Sequence, residues 1–355
     1  MSEPVYIINT GARTALGLHA AASAAALRAA ISGNAKYPYW VDQTGAPVTL
    51  ALDRELPPDL PCRQRMLALA RSALAEACRP LQELSWPQPV PLWLGFPEPR
   101  PGFCVNDAHW VSHHLSGEPL IDSNNDSIKL ALGGHSAVLT LLHQARQMME
   151  QRHWLVCLVG GVDSYLQPDT LAWLDQHRQL AGPVSRSGFV PGEGAGFVLL
   201  MTAEAAREAG LEPLARLVNS ATGRETKLIK TQDINLGEAL TRTVQDTLSP
   251  LHPAQQPVNQ IYCDINGERY RGEEWGFTCL KLAHYFEDPT GYWSPADCWG
   301  DTGAASGALF VTLATQAAQR GYASGPRNLL WASSEAGPRA GVLLETPYQA
   351  SPYRG

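Results

Sequence analysis

The sequence predicts an α/β protein made of two similar halves, with a layer of helices between two covered sheets. Strand-like and helix-like apolar patterns alternate along most of the 355 residues. Two helical segments, starting near His135 and near Ala304, are apolar on most sides, which a solvent-facing helix would not tolerate. When the chain is shifted so that Thr140 falls on Thr312, the first of these helices overlays the second, and an apolar strand follows each. Chance similarity between two apolar helices is the competing explanation of this repeat.

Composition and charge exclude several classes of protein. The chain is 45% hydrophobic and 17% charged, which is typical of a globular protein with a large core. Its net charge of −7 and its scattered basic residues argue against binding to nucleic acid or to a membrane surface. The sequence shows neither a basic and apolar leader nor a long uninterrupted apolar run, so we expect a cytoplasmic protein without a membrane span.

The cysteines indicate a reducing compartment. They number seven and form no C-x-x-C pair, which argues against a disulfide framework and against a zinc site. Cys157 lies inside an apolar run and Cys263 at the end of one, where an inert buried thiol is expected. We therefore predict no metal site, and no motif in the sequence indicates a cofactor.

The pattern before residue 116 predicts a series of strands and helices. Gly33 and Pro80 mark the ends of the first two helices, as a C-terminal cap and as a residue that a helix interior does not tolerate. Residues 35–61 are rich in proline and are predicted to form a loop with at most one short strand. The predicted elements are a strand at Val5–Ile8, a helix at Leu16–Ser32, a helix at Arg63–Arg79, a strand at Val90–Gly95 and a short helix at Val105–Leu115.

A strand, a glycine turn, a helix and a second strand follow one another in the central stretch of the chain. Such a turn places the first helical residues, here His135 and Ser136, at the positive N-terminus of a helix. The simpler interpretation is that the glycines only make the turn and that His135 caps the helix. Val138 stands where a lipase-type G-x-S-x-G turn needs glycine, so that motif is absent. The segments are Ser127–Leu132 (strand), Gly133–Gly134 (turn), Val138–Met149 (helix) and Trp154–Val159 (strand).

The second part of the chain continues the alternation. Four glycines between Gly188 and Gly196 lead into a strand without a following Gly-Lys-Ser/Thr, so they do not form a phosphate-binding loop. We place the division between the two halves so that they comprise residues 1–255 and 256–355. The predicted elements are a helix at Pro168–Leu180, a strand at Phe197–Met201, a helix at Ala203–Ala209, a strand at Leu214–Val218, a helix at Leu236–Leu248 and a strand at Gln260–Asp264.

Three glycine-rich motifs resemble those of the β-ketoacyl-ACP synthases of the thiolase superfamily, and the resemblance extends over essentially the whole chain. Ser187–Gly196 is similar to that family's D-G-F-V-x-G-E-G-A-G signature, Gly160–Asp163 resembles its G-G-A-E turn, and Gly303–Ala308 lies where the family has G-x-x-G-A-A-G-A. The resemblance implies a thiolase fold of five αβαβα layers, built from two similar halves. It also implies a dimer, with an identical chain or with a related thiolase-fold protein. We expect the strand Trp154–Val159 to pair across the two-fold axis, because an apolar strand left at an open edge invites aggregation.

The same resemblance identifies the positions where the family carries its catalytic cysteine and two histidines. In this chain they are His135, Asn266 and Asp301, so all three residues differ. An acyl-imidazole hydrolyses readily, and a carboxylate at the second histidine position repels the enolate oxyanion that the family's reaction must stabilise. We therefore predict a pseudoenzyme that does not catalyse the Claisen condensation. The family's glycine-rich gating loop corresponds to Glu335–Arg339.

Two functions follow from this pattern. The first is a non-catalytic binding partner or scaffold, comparable to the chain-length-factor subunits that pair with active ketosynthases and lack the cysteine. It includes an adaptor for a ketosynthase or, by analogy with thiolase-like proteins encoded beside them, for a bacterial type VI secretion effector, with an acyl carrier as a further possible partner.

The alternative function is an active acyltransferase or hydrolase with Ser136 as the nucleophile. Either His135 or Asp301 would assist it. Adjacent residues on a helix point about 100° apart, so His135 is badly placed to act as a base for Ser136. Asp301 is then the candidate base that the resemblance supplies.

Overall fold

The computed structural model describes residues 3–182, 185, 187–228 and 233–348. The strands are β1 (Val5–Thr14), β2 (Asn34–Val41), β3 (Pro47–Ala51), β4 (Leu92–Phe96), β5 (Ile128–Leu132), β6 (Val156–Ser164), β7 (Glu193–Thr202), β8 (Ala215–Arg224), β9 (Gln260–Cys263), β10 (Tyr292–Trp293), β11 (Arg327–Ser333) and β12 (Pro338–Glu345). The helices are α1 (Ala20–Arg28), α2 (Cys62–Glu83), α3 (Val105–Leu115), α4 (Ala137–Glu150), α5 (Pro168–Gln176), α6 (Ala203–Ala209), α7 (Glu238–Leu248), α8 (Arg269–Leu282), α9 (Ala296–Trp299) and α10 (Ser306–Gln319).

Ten of these strands form one mixed sheet in the order β10-β9-β11-β12-β8-β1-β7-β6-β4-β5. The strands β4, β5 and β6 are parallel to one another, as are β9, β10 and β11. Two blocks of five strands meet where β1 pairs with β8 over three residues, Val5–Ile7. The strands β2 and β3 form a separate hairpin.

The helices lie in three layers around the two blocks. The helices α2 and α3 cover the outer face of the block from β5 to β1, and α7, with α8 beside it, covers the outer face of the other block. Both α4 and α10 contact strands of both blocks, so they lie between them. These are the five αβαβα layers that the family resemblance implies.

The two central helices are buried because apolar and small side chains cover most of their surfaces. Each is 14 residues long and begins with a tight turn, at Gly134–Ser136 in the first half and at Gly303–Ala305 in the second. Gly307 of α10 lies against Val138 and Leu139 of α4, so the helices pack directly on each other. This confirms the predicted pair of helices between two layers of strands.

Three predictions about the first hundred residues are wrong. The helix α1 ends at Arg28 with Ala29 as its C-terminal cap, so Gly33 does not cap it. Pro80 does not end α2, which continues to Glu83. Proline removes the N–H that would bond the Glu76 carbonyl, and the Asn9 side-chain amide donates to that carbonyl instead, at 2.8 Å. Residues 35–61 contain most of the β2–β3 hairpin and not a loop with one short strand.

The prediction that the strand Trp154–Val159 lies at the dimer interface is also wrong. The strand β6, which contains most of Trp154–Val159, lies inside the sheet between β4 and β7, so it has no open edge for a partner. It is apolar on both faces because helices cover both sides of the sheet, as in other central strands. In the described sheet the edge strand of this block is β5, Ile128–Leu132, which pairs only with β4.

The strand β8 precedes the predicted division after residue 255, yet it pairs with β12 along most of its length. The division into residues 1–255 and 256–355 stays a prediction. Over the residues that the structure describes, no helix is both long and apolar enough to cross a membrane.

Candidate functional site

The three residues at the family's catalytic positions lie together at one end of the sheet. His135 lies in the turn after β5, Asn266 in the loop after β9, and Asp301 in the loop after α9. All three are buried, with 8%, 8% and 2% of their surfaces exposed. The carboxyl ends of parallel strands are the usual ligand-binding edge of α/β sheets.

His135 and Asp301 form a buried pair. The Nε2 atom of His135 lies 2.9 Å from both carboxylate oxygens of Asp301. Asp301 also accepts hydrogen bonds from the Asn266 amide, from the Gly303 N–H at 2.7 Å and from the Tyr165 hydroxyl at 3.3 Å. Since four donors surround its two oxygens, Asp301 is stabilised as a carboxylate.

The charges of this pair follow from its surroundings. Burial acts to raise the pKa of Asp301, but His135, Arg271 and Asn266 outweigh it and hold that pKa well below its usual range. Burial and the Arg271 charge act to lower the pKa of His135, but the Asp301 carboxylate outweighs them, so that pKa lies above its ordinary value. The pair is therefore an imidazolium and a carboxylate below the raised pKa of His135. An imidazolium has no free lone pair, so in this form His135 accepts neither an acyl group nor a proton.

A buried arginine that the sequence analysis did not identify completes the network. Arg271, on α8, contacts the carboxylates of Asp264 and Glu268, the latter at 3.2 Å. Its Nη2 atom lies 3.4 Å from both ring nitrogens of His135. Arg271 could have been found from its spacing to Glu268 in the sequence. The two residues are three positions apart, and opposite charges at that spacing pair on a helix.

Ser136, the alternative nucleophile, belongs to a different cluster. Its N–H donates to the Ser334 hydroxyl at 2.9 Å, and the two hydroxyl oxygens are 2.8 Å apart. The Ser136 hydroxyl also lies 3.5 Å from the Gly133 carbonyl. Among the hydrogen bonds of the described residues, none joins this hydroxyl to His135 or Asp301. The structure thus brings His135, Asn266 and Asp301 together and places the Ser136 hydroxyl in contact with other groups.

The thiols of Cys157, Cys263 and Cys298 are not activated. Burial raises the pKa of the Cys157 and Cys263 thiols. Burial and, to a smaller extent, Asp297 also raise the pKa of the Cys298 thiol. A thiol with a raised pKa is a poor source of thiolate, so these residues do not replace the missing nucleophile.

A cavity of about 330 Å³ lies beside His135. Aromatic side chains form part of its wall, and the predicted gating loop contributes Glu335 and Ala336. Carboxylates outnumber cations in the lining, which disfavours an anionic ligand. The charged lining residues are Glu98, Asp163, Glu268, Glu335, Arg100 and His135.

Comparison with known proteins connects this site to one family. Residues 134–206 match the model of the family described as "Beta-ketoacyl synthase, N-terminal domain". The matched segment contains the His135 turn, α4, β6 and the glycine-rich start of β7. No curated protein matches the sequence significantly.

Solved structures match nearly the whole chain. One, described as a type II PKS acyl-carrier protein in complex with its ketosynthase bound to the hexaketide, is 15% identical with a TM-score of 0.77, and the match covers 98% of this chain and 100% of that one. The ketosynthase from module 6 of the bacillaene synthase of Bacillus subtilis 168 is 15% identical with a TM-score of 0.77, over 98% of this chain and 72% of that one. The ishigamide ketosynthase/chain length factor is 15% identical with a TM-score of 0.74, over 98% of this chain and 100% of that one.

The architecture is therefore the thiolase fold. Residues 134–206 are similar to the N-terminal domain of the β-ketoacyl synthases, and the solved structures named above that share the fold are ketosynthases. At 15% identity the structural matches concern the fold.

Proposed function

We propose that this chain is a non-catalytic ketosynthase-like protein that acts by binding a partner protein. The observation that carries the proposal is the buried pair of His135 and Asp301, which occupies two of the three positions where the family carries its cysteine and histidines. The nucleophile position holds an imidazole with a raised pKa instead of a thiolate. The second histidine position holds a carboxylate that is already surrounded by donors.

The electrostatics of the site support the same proposal. Condensation requires an anionic malonyl group to enter and an enolate oxyanion to develop. The lining of the cavity includes Glu98, which forms no ion pair within the described residues. As a carboxylate, Glu98 opposes both the extender and the transition state.

The partner in this proposal pairs with the edge of β5. The strand is flanked by β4 on one side only, and its apolar residues Ile128, Leu130 and Leu132 are half-buried in the single chain. An edge strand of this kind is a ready template for another strand. An identical chain or a ketosynthase-type subunit is the favoured partner, in line with the solved ketosynthase/chain length factor of the same fold. This proposal has two narrower forms. In one the partner is an acyl carrier, and in the other the chain is an adaptor for a type VI secretion effector.

Covalent labelling tests the non-catalytic part of the proposal. We expect no mass increase when the purified protein is incubated with acyl-CoA, with acyl-carrier protein or with a serine-directed fluorophosphonate, and analysed by intact mass and peptide mapping. His135→Ala and Ser136→Ala serve as matched controls. An adduct on Ser136 that disappears in Ser136→Ala would revive the acyltransferase or hydrolase alternative, and an acyl group on His135 would overturn the proposal.

A further inference from the structure

A second cavity, of about 550 Å³, lies where the C-terminal ends of α1 and α10 meet. Its wall includes alanines of α1 together with Arg28, Arg320 and Tyr322. The helix α10 begins shortly after Asp301 and is 14 residues long, so about 20 Å separates its two ends. The cavity is therefore separate from the site at His135.

The surroundings of this cavity are positively charged. Two arginines line it, and no carboxylate does. The two segments of sequence that form it, residues 4–41 and 302–334, contain no Asp or Glu, although the chain has 34 acidic residues. In a protein with a net charge of −7, this is a local reversal of sign. A concave site lined by charges of one sign concentrates ions of the opposite sign, here anions.

The two guanidinium groups are accessible and are not neutralised by the protein. Over the part of the chain that the structure describes, neither Arg28 nor Arg320 forms an ion pair or a side-chain hydrogen bond. Both side chains are exposed, so a ligand can reach their N–H groups.

Tyr322 brings the two charges together. The guanidinium carbon of Arg28 lies 4.1 Å from the centre of the Tyr322 ring, a contact that orients this group and leaves its charge unpaired. Burial raises the pKa of Tyr322 against the opposing effects of the Arg28 and Arg320 charges. Both guanidinium groups therefore lie near the same phenol.

The ends of the two helices do not use these arginines as hydrogen-bonding caps. On α1 the carbonyls of Ala25 and Ala26 accept from backbone N–H groups at 3.0 Å, and on α10 the carbonyls of Gln316 and Ala317 do the same. These backbone bonds satisfy the carbonyls that a helix leaves open at its C-terminus. The side-chain N–H groups of both arginines stay available to a bound molecule.

We propose that this cavity binds a small organic phosphate. Its phosphate group accepts hydrogen bonds from Arg28 and Arg320, and its uncharged part covers the alanines of α1. A phosphate monoester carries up to two negative charges, which match two guanidinium groups, and its oxygen atoms suit their fork of N–H donors. A volume of about 550 Å³ is sufficient for such a ligand. The proposal goes beyond the partner function and does not depend on pairing at β5.

Phenyl phosphate is the probe that tests this proposal, measured by isothermal titration calorimetry. We expect it to bind with a dissociation constant of roughly 0.1 to 1 mM, as is typical of a ligand of about eleven heavy atoms. Phenyl sulfate has the same ring with a single charge, inorganic phosphate lacks the ring, and phenol lacks the charge. The first two should bind several-fold more weakly, and phenol not measurably. Binding of any of the three as tight as that of phenyl phosphate, or no binding of phenyl phosphate at about 10 mM, overturns the proposal.

Substitutions assign the binding to the two arginines. Arg28→Gln and Arg320→Gln should each weaken phenyl phosphate binding by roughly tenfold, because each removes one charge-assisted contact with the phosphate. The matched control is Arg242→Gln, at an exposed position of α7, which should leave the affinity unchanged. Thermal unfolding verifies that the variants fold. Wild-type affinity in folded Arg28→Gln or Arg320→Gln contradicts the proposal.

A third substitution tests the cavity itself. Ala25→Leu fills space in the lining and keeps both arginines. It should weaken the binding of phenyl phosphate and leave that of inorganic phosphate unchanged, because only the ring needs this space. Equal losses for both molecules would mean that the ring does not lie over α1, and this part of the proposal would be wrong.

A phosphorylated protein is the competing source of the same chemical group. Glycyl-phosphoseryl-glycine should bind more weakly than phenyl phosphate, because the alanines of α1 favour an apolar group. Tighter binding of this peptide overturns the assignment to a free small molecule. Self-association of the same variants, measured by ultracentrifugation, keeps a failure of this proposal distinct from a failure of the partner function.

Discussion

At the scale of single residues, His135 and Asp301 stabilise each other's charged forms. The raised pKa of His135 and the low pKa of Asp301 are two results of the same hydrogen-bonded contact. Removal of either residue leaves the other as a buried charge without its partner. The free-energy cost of that lone charge is larger than the stabilisation that the intact pair provides. In its protonated form, His135 has no lone pair for nucleophilic attack.

The pKa of His135 predicts a specific dependence of stability on pH. Because the pKa is raised above the unfolded value of about 6.5, its contribution to the free energy of unfolding is complete below that pH and is lost as the pH rises through the folded pKa. Asp301 acts in the opposite direction, since its lowered pKa stabilises the folded state above about pH 4 and this stabilisation is lost on further acidification. We therefore expect urea unfolding to show decreasing stability as the pH rises above about 6.5, and a smaller decrease in His135→Gln.

The control for this measurement is His113→Gln, at an exposed position of α3, which should keep the wild-type slope. If His135→Gln loses stability with pH as steeply as the wild type, the imidazolium form of His135 is not the cause.

The positions of the three site residues were predictable from the sequence, but their charges were not. His135, Asn266 and Asp301 were found because glycine motifs fix their positions. Arg271 was not, because its partners Asp264 and His135 come from β9 and from the turn after β5, and only the tertiary fold brings them together. The charge state of His135 depends on this contact.

At the scale of elements, close contacts between backbone segments determine where the central helices begin. A Cβ atom on Gly161 of β6 would lie 2.3 Å from the carbonyl oxygen of Ala304, in the turn before α10. Only glycine permits this approach without movement of the backbone. The G-G motif in the sequence thus reflects packing of β6 against the start of α10.

Substitution of this glycine should be destabilising. Gly161→Ala should lower the free energy of unfolding by about 1 to 3 kcal/mol, the range for overpacking of a tight core. The matched control is Gly272→Ala on α8, where a Cβ meets nothing within 4 Å. It should instead stabilise the protein by about 0.5 to 1 kcal/mol, because alanine favours a helix. Chemical denaturation of both variants provides the test, and wild-type stability of Gly161→Ala would contradict the described contact.

Elements with strong periodicity were predicted correctly, and the errors have local causes. The bounds Val105–Leu115 and Ala203–Ala209 agree with α3 and α6. Pro80 was expected to end α2, because the compensating donor, Asn9, is distant in sequence. The helix α8 was not predicted from the sequence. Polar residues such as Arg271 and Glu274 are among its buried residues, so it does not show the apolar stripe of a surface helix.

At the scale of the whole molecule, the fold was predictable because it repeats. Each half supplies a tight turn followed by a buried 14-residue helix, and this order is visible in the sequence. The place of each strand in the sheet was not visible, since a strand covered on both faces has the same apolar pattern at the edge and in the interior. This is why Trp154–Val159 was mistaken for the edge strand, whereas β5 occupies the edge.

Pairing through β5 gives a prediction about assembly. Leu130→Lys should shift the protein from dimer to monomer in analytical ultracentrifugation at micromolar concentration, because it places a charge in an apolar edge strand. Leu280→Lys, at a leucine that is 82% exposed on α8, is the matched control and should leave the association unchanged. Thermal unfolding of both variants verifies that they fold. A wild-type protein that stays monomeric, both alone and with an intact ketosynthase, contradicts pairing through β5.

Incubation with malonyl-carrier and acyl-carrier proteins tests most directly whether this ketosynthase-like chain performs condensation. Release of CO2 and formation of a β-ketoacyl product are measured together, with an intact ketosynthase as the positive control. We expect wild-type protein, His135→Ala and Asp301→Ala all to give the background rate, because the site holds a buried histidine–carboxylate pair where the reaction needs a thiolate and two imidazoles. Product formation by the wild type that is lost in His135→Ala or Asp301→Ala would contradict this expectation.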